Sequence, residues 1–474
     1  MPRTPAPSSR SCLPPCLPLA AACLLGLTAR VGGAADAAYP VLGETARALA
    51  VELTRSHVLH LPLDDAMAAR AFDSLLANID GDRIYLLAED VEKLAARRNR
   101  LDDDLAAGDL SFAAEVLGVW RRRALDRCDY VERLLAEGVE PKAADAPPPR
   151  RAAAAWPHDE AEWNEIWRSR VANELAARMA RGRADRGRDA DPARPVADRM
   201  AKACDRFRTV VEELDAGLVA GLLLTSFCRA YDPHTSVSLP PDAETGDPPA
   251  DLAAVLAAPY GSVEANEAAP DFGPVRMEMV ESGGAAGAGM KLAVVRIPVF
   301  REATAPELAR TLAEAEKAGA RGLVLDLRGN AGGSFPEGVN VAGLFLAGGP
   351  VLQVRTGPRN ILVVQDEDPA VAFSGQLVVL VDRRSASAAE AVAGILQDYG
   401  RAMVVGDSRT HGKATMQMPK PLGEHGRFGV LTVSTAQLHR LGGDTMQRRG
   451  MRPDIVVPSP LDAGPETGED SMPN

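Results

Sequence analysis

Residues 377–417, LVVLVDRRSASAAEAVAGILQDYGRAMVVGDSRTHGKATMQ, constrain the fold of this chain more than any other stretch. The apolar run 377–382 reads as a buried strand that breaks at Arg383 and Arg384. The small residues Ser385, Ala386, Ser387, Ala388 and Ala389 then open a helix that closes at Asp398, Tyr399 and Gly400. A second strand, 402–406, follows, and a loop delivers Gly412 and Lys413. A serine at a strand-to-helix turn has the unpaired N–H groups of the helix behind it, and these stabilise a developing oxyanion. With a lysine near the end of the same β-α-β unit, the pattern suggests a nucleophile and its base.

The surrounding sequence supplies an α/β core. Strands at 292–297, 322–327, 351–355, 362–365, 428–438 and 454–457 alternate with helices at 306–320 and 335–346. Such alternation implies a sheet flanked by helices. Residues 45–138 instead carry helical periodicity, with Met67, Phe72, Leu75 and Leu76 on one face and Trp120, Tyr130 and Leu134 in a long amphipathic run. Pro147, Pro148 and Pro149 mark a loop, and helices resume at 160–182 and 196–230. The expected fold class is therefore α+β, a helical N-terminal domain before an α/β core.

Taken alone, Ser387 is a helix-capping serine and Lys413 a surface charge. Two features raise them above that. Gly332 and Gly333 follow a buried strand ending in Asp326, Leu327 and Arg328, and adjacent glycines expose main-chain N–H groups. A lysine serves as general base only when desolvation lowers its pKa well below the usual ~10.4. A neutral amide such as Gln417 would hold the amine without restoring its charge. A Ser-His-Asp triad drawn from Ser387, His411 or His234, and Asp398 is the rival. Asp398 lies three helical turns beyond Ser387, roughly 16 Å along the axis, too far to orient a shared histidine, so it reads as an organiser of the helix C-terminus. No GxGxxG, GxxxxGK[ST] or HExxH occurs, the seven histidines are scattered, and no cofactor or metal is expected.

Taken together, DLRGNAGGSF (326–335), the 377–407 block, THGKATMQ (410–417) and RRGMRPDIVVPS (448–459) resemble the tail-specific, or C-terminal processing, serine peptidases. LPLDDAMAARAFD (61–73) and YDPHTS (231–236) are similar to the helical N-terminal part of their long periplasmic members. The resemblance implies a crotonase- or Clp-protease-like core and a dyad of Ser387 as nucleophile and Lys413 as general base, with Gln417 orienting the lysine. It implies an oxyanion hole from the Gly332–Gly333 turn and Ala388, and supporting roles for Glu390, Asp398 and Thr410. It also prefers Ser387 to Ser385, because the active serine stands three residues before the glutamate. Family members carry a PDZ domain of ~90 residues, an ordinary small-domain size, where this sequence offers only residues 240–290. The expectation is that this domain is missing or degenerate and that the C-terminal helical extension of the larger members is absent.

Residues 1–37 read as an export signal, with Arg3 and Arg10 before an apolar run at 17–27 and a small-x-small site at Ala35, Asp36 and Ala37. Its removal takes Arg3, Arg10, Arg30 and Asp36, making the formal charge of −12 two units more negative. That excludes bulk nucleic-acid binding and fits an exported, periplasmic protein, anchored in the membrane if the signal stays uncut. Cys128, Cys204 and Cys228 remain, an odd number without CxxC spacing, so no disulfide is expected. The expected organisation is a signal at 1–37, a helical domain at 38–236, a poorly determined connector at 237–290, a peptidase core at 291–460 and a disordered tail at 461–474. The expected partners are protein or peptide substrates, with room for an adaptor protein. A catalytically silent, peptidase-like binding protein is the alternative function, and acyl chemistry on small thioesters a weaker third.

Overall fold

The computed structural model describes residues 35–141, 151–186, 193–240, 273–281 and 289–462. Residues 1–34 of the expected signal, most of the expected connector and residues 463–474 of the expected tail lie outside these. So do the proline loop at 147–149 and part of the charged segment before Arg194.

Among the described residues, eight helices come first: α1 (Ala35–Ser56), α2 (Asp65–Ile79), α3 (Ala88–Ala95), α4 (Leu101–Ala107), α5 (Ser111–Glu137), α6 (Glu160–Arg186), α7 (Ala193–Glu213) and α8 (Ala216–Tyr231). Asp64 caps α2, its carboxylate accepting the Ala66 and Met67 N–H groups. The single helix expected over 196–230 is two. Asp215 accepts from Leu218 N–H at 3.0 Å and starts α8 afresh, the local competition with helix continuation that aspartate side chains offer. Leu49, Leu53, Phe72, Leu75, Phe112, Trp120 and Phe227 share one buried core with Leu422, Leu431 and Val433 of the C-terminal half. The helices thus pack onto a sheet of the second half, and the two halves hold one hydrophobic core in common. No helix among the described residues is long and apolar enough to cross a membrane.

The remaining described residues build two sheets. The first is β1 (Ser236–Ser238), β5 (Gly349–Gly357), β6 (Asn360–Asp366), β9 (Thr415–Pro421) and β10 (Val430–His439), wholly antiparallel. The second has the order β11 (Ile455–Val456), β8 (Met403–Gly406), β7 (Gln376–Val381), β4 (Gly322–Asp326), β3 (Lys291–Arg296) and β2 (Arg276–Glu281). It is parallel except for β2 at its edge. Three helices complete the core: α9 (Thr304–Lys317), α10 (Phe335–Gly343) and α11 (Ala388–Asp398). Leu323, Leu325, Val379, Val381 and Val404 are fully buried, as their unbroken apolar runs require of strands covered on both faces. The fold is α+β, as expected.

Strand β9 was not legible beforehand, because TMQMPKP carries two prolines where a central strand tolerates none. It is an edge strand bonded only to β10, where a missing N–H costs no ladder bond. The helix at the centre of the 377–417 block also starts later than expected. Ser385, Ala386 and Ser387 lie outside it, and Ser387 is its N-cap with φ +56° and ψ −117°.

Candidate active site

Ser387 stands at the turn from β7 into α11 in a left-handed conformation that costs a non-glycine residue about 1–3 kcal/mol. Such strain persists only where the surroundings over-determine it, and here they do. Its N–H donates to Glu390 Oε2 at 2.9 Å, and the preceding Ala386 N–H donates to the Asn330 carbonyl at 2.9 Å. Half-buried itself, Ser387 is flanked by fully buried Ser385 and Ala388.

Glu390 collects the rest of the site. Its Oε1 accepts from Thr410 Oγ1 at 2.5 Å and Gly412 N–H at 2.7 Å, and its Oε2 accepts from Lys413 N–H at 2.8 Å. The backbone nitrogens of Ser387 and Lys413 therefore share one oxygen and lie no further apart than the sum of 2.9 and 2.8 Å. Thr410 Oγ1 also accepts the Met451 N–H at 2.7 Å, so its single proton is committed to the carboxylate. Burial pushes the Glu390 carboxyl up to about 7, against the pull of these donors.

The Lys413 side chain reaches two neutral oxygens. Nζ donates to the Thr415 carbonyl at 3.0 Å and to Gln417 Oε1 at 2.9 Å. Gln417 is held in that orientation from behind, its Nε2 donating to Thr415 Oγ1 and Ser434 Oγ, each at 2.9 Å.

The two glycines do different things. Gly332 is buried, its N–H donates to Asn330 Oδ1 at 2.8 Å, and a Cβ there would stand 2.7 Å from Ser387 Cβ. Gly333 is exposed at φ +122°, and a Cβ would fall 2.1 Å from the Phe300 carbonyl oxygen. Only glycine fits either place. The Gly332 N–H is thus committed within the loop. The Gly333 and Ala388 N–H groups carry no recorded bond to a protein acceptor among the described residues.

The other candidates separate cleanly. Ser385 is fully buried, and its Oγ donates to the Leu327 carbonyl at 2.8 Å, with Asp382 Oδ1 at 3.2 Å. Asp398, at the far end of α11, takes a bidentate Arg440 guanidinium at 3.0 and 3.1 Å through Nε and is not brought to Ser387. His411 joins the loop through its backbone, its N–H donating to the Ser385 carbonyl at 3.0 Å. Asn330 carried no separate expectation, yet it is fully buried and holds Gly332, Ala386 and the Ile297 carbonyl together. Asp382 and Asp407 were missed likewise. They receive the Gly329 N–H at 2.9 Å and the Arg383 N–H at 2.9 Å. Their common signal is an Asn or Asp just past a buried strand, the residue type that bonds nearby main chain. Ser385→Ala is expected to lower turnover no more than about tenfold and to cost roughly 1–3 kcal/mol, the loss of one buried hydrogen-bonded hydroxyl. Initial rates and denaturant melts would show it.

The model of peptidase family S41 matches residues 291–457, and the tail specific protease N-terminal domain model matches residues 49–238. The chain is 26% identical to the tail-specific protease of Haemophilus influenzae, covering 93% of this chain and 74% of that protein. It is 37% identical to the carboxy-terminal-processing protease of Bartonella bacilliformis over 30% of this chain and 32% of that one, about a third of that relative's length. Among solved structures it is similar to a photosystem II D1 C-terminal processing protease, with 29% identity, a TM-score of 0.36 and coverage of 43% of this chain and 53% of that one.

Proposed function

This chain belongs to peptidase family S41, the tail-specific serine peptidases, and from that premise we propose an exported endopeptidase that cleaves unfolded or C-terminally tagged proteins through a Ser387–Lys413 dyad. The observation that carries this reading is Glu390, one buried carboxylate bonded to the backbone of both Ser387 and Lys413. Lys413 Nζ takes the Ser387 hydroxyl proton as Oγ attacks the scissile carbonyl. The oxygen of the tetrahedral adduct is received by the Gly333 and Ala388 N–H groups, the latter at the positive end of α11. Gly332 shapes the turn, and Asn330 fixes it. The lysine then protonates the leaving amine, and water, activated by the same amine, releases the acyl group from Ser387. Glu390 and Thr410 hold the loop that carries the base, while Asp398 ties the far end of α11 to Arg440.

The proposed organisation is a signal at 1–37, a helical domain at 38–236, a connector at 237–290 that lends β1 and β2 to the two sheets of the core, a peptidase core at 291–460 and a tail at 461–474. Protein or peptide substrates and a periplasmic location follow from the same reading. The test uses the mature full chain, reduced casein and peptides of varied C-terminus, with Ser387→Ala as control. Cleavage by wild type and intact reporter with the variant are expected, together with a mass increment on Ser387 after treatment with a serine-directed fluorophosphonate. A wild type that leaves every reporter intact from mildly acidic to mildly alkaline pH, and whose Ser387 stays unlabelled, would instead favour the silent binding protein.

A further inference from the structure

The base-bearing side of the site is completed by the helical half of the molecule. Ser434 lies on β10 in register with Gln417 on β9, beside a bulge between Ser434 and Ala436. On its other side β10 pairs with β1 only over 430–432 and with β5 only over 437–439. Ser434 falls in the gap between them, is fully buried and still has its main chain satisfied. Its N–H donates to Thr235 Oγ1 at 3.3 Å, and its carbonyl accepts from Val58 N–H at 2.8 Å. A hydroxyl and an amide from the helical half thus replace a missing strand.

Both are held by one buried pair. Thr235 Oγ1 donates to Asp232 Oδ2 at 2.7 Å, and His57 Nε2 stands 2.6 Å from the same oxygen. His57 Nδ1 accepts the Leu59 N–H at 3.3 Å, which leaves the ring proton on Nε2 to donate to the carboxylate. Asp232 Oδ1 receives the His234 and Thr235 N–H groups at 2.7 and 2.9 Å. Burial opposes the ionisation of Asp232, but His57, Thr235 and the backbone outweigh it and hold the carboxyl at about 2. His57 follows directly on α1 and Asp232 on α8, so the pair clamps two helix ends against β10. Hydrogen bonds then run unbroken from His57 and Asp232 through Thr235 and Ser434 to Gln417 and Lys413.

We propose that His57, Asp232 and Thr235 are positioning residues for the lysine base, fixing the place of Ser434 and through it the amide orientation of Gln417. This rests on the Ser387–Lys413 reading above. Ser434 Oγ is one of the two acceptors that keep Gln417 Nε2 turned away and Oε1 turned toward Lys413. Thr235→Val keeps the shape of the side chain and removes the hydroxyl that joins Asp232 to the Ser434 N–H. A shift of the strand there displaces the amide and the amine it holds, and small displacements of a catalytic group are costly in rate.

The test compares wild type, Thr235→Val, Thr235→Ser and Asp232→Asn as full chains on one reporter peptide, with reactive serines counted by fluorophosphonate labelling taken to completion. The expected result is a kcat per labelled serine lower by about 10- to 100-fold in Thr235→Val and Asp232→Asn, an unchanged KM, and recovery toward wild type in Thr235→Ser. Should Thr235→Val not fold, Ser434→Ala carries the same expectation. Thr235→Val or Ser434→Ala turning over at the wild-type rate per labelled serine, whatever its melting temperature, overturns the proposal while leaving the dyad intact. A wild type that neither cleaves nor labels removes the dyad, and this proposal with it.

Discussion

Lys413→Ala is expected to lower peptide hydrolysis by about 10³- to 10⁴-fold, the range for losing a positioned general base that acts together with its nucleophile. The fold is expected to survive. Lys413 is only half-buried, and its backbone N–H, which Glu390 receives at 2.8 Å, persists in alanine. What is lost is the amine held by the Thr415 carbonyl and Gln417 Oε1. Thermal melts should therefore stay close to wild type while turnover collapses. Single turnovers, in which formation of the acyl-enzyme on Ser387 is followed directly, separate the chemical step from substrate binding. Turnover within tenfold of wild type, by correctly folded protein, would remove Lys413 as the base.

Glu390→Ala is expected to damage both rate and stability. It leaves the Ser387, Gly412 and Lys413 N–H groups and the Thr410 hydroxyl without their acceptor in a water-poor setting. Each orphaned buried donor costs about 1–3 kcal/mol before relaxation, and the structure recovers part of that, so a net loss of about 3–5 kcal/mol is expected. Turnover should fall at least a hundredfold, because the loop bearing Lys413 and the strained Ser387 backbone lose their common anchor.

Wild type carries a pH signature of the same carboxyl. Its folded pKa of about 7 stands above the unfolded 4.5, so between these values the native state holds more protons than the unfolded chain. Its contribution to stability therefore falls as pH rises from about 4.5 to about 7, by roughly 3 kcal/mol at about 1.36 kcal/mol per unit, and is flat above. Activity runs the other way. A protonated Glu390 has an O–H where one of its four donors points and must release that donor. The rate is expected to rise with pH through about 7 and to track the ionised form. Denaturant melts of wild type and Glu390→Ala across pH 4.5–8 would show whether the stability slope disappears in the variant. An identical slope in both would assign it to other groups.

Ser387, Lys413, Gln417 and the glycine pair of the candidate site were legible because they are local features, while Ala388, Glu390 and Thr410 entered through the family resemblance. Ser387, Ala388 and Glu390 lie within one turn of helix and the strand that feeds it, and Thr410, Lys413 and Gln417 within one loop and the strand after it. Spacing along the chain is then nearly spacing in space. The Gly332–Gly333 turn was legible for the same reason, since a glycine pair after a buried strand signals backbone exposed in a tight turn. The division of labour within it was not. That Gly332 gives its N–H to Asn330 while Gly333 keeps its own free of recorded bonds depends on the path of three loops around Phe300 and Ala386. Asp398 illustrates the opposite limit. It lies at the far end of α11 from Ser387, and its partner Arg440, 42 residues away on the segment after β10, follows from no local rule.

By itself, then, the amino-acid order determined the β-α-β unit and the helical character of the first half. These rest on periodicity, helix-capping chemistry and spacing, which act over a few residues. Only the tertiary structure decided that β9 is a strand despite its prolines, that Ser385 is sealed against Leu327, and that the helical half reaches Ser434 through Thr235, 199 residues distant. The physical reason is that a buried polar atom must find a partner wherever the packed chain presents one. Which residue that is depends on how the whole molecule closes.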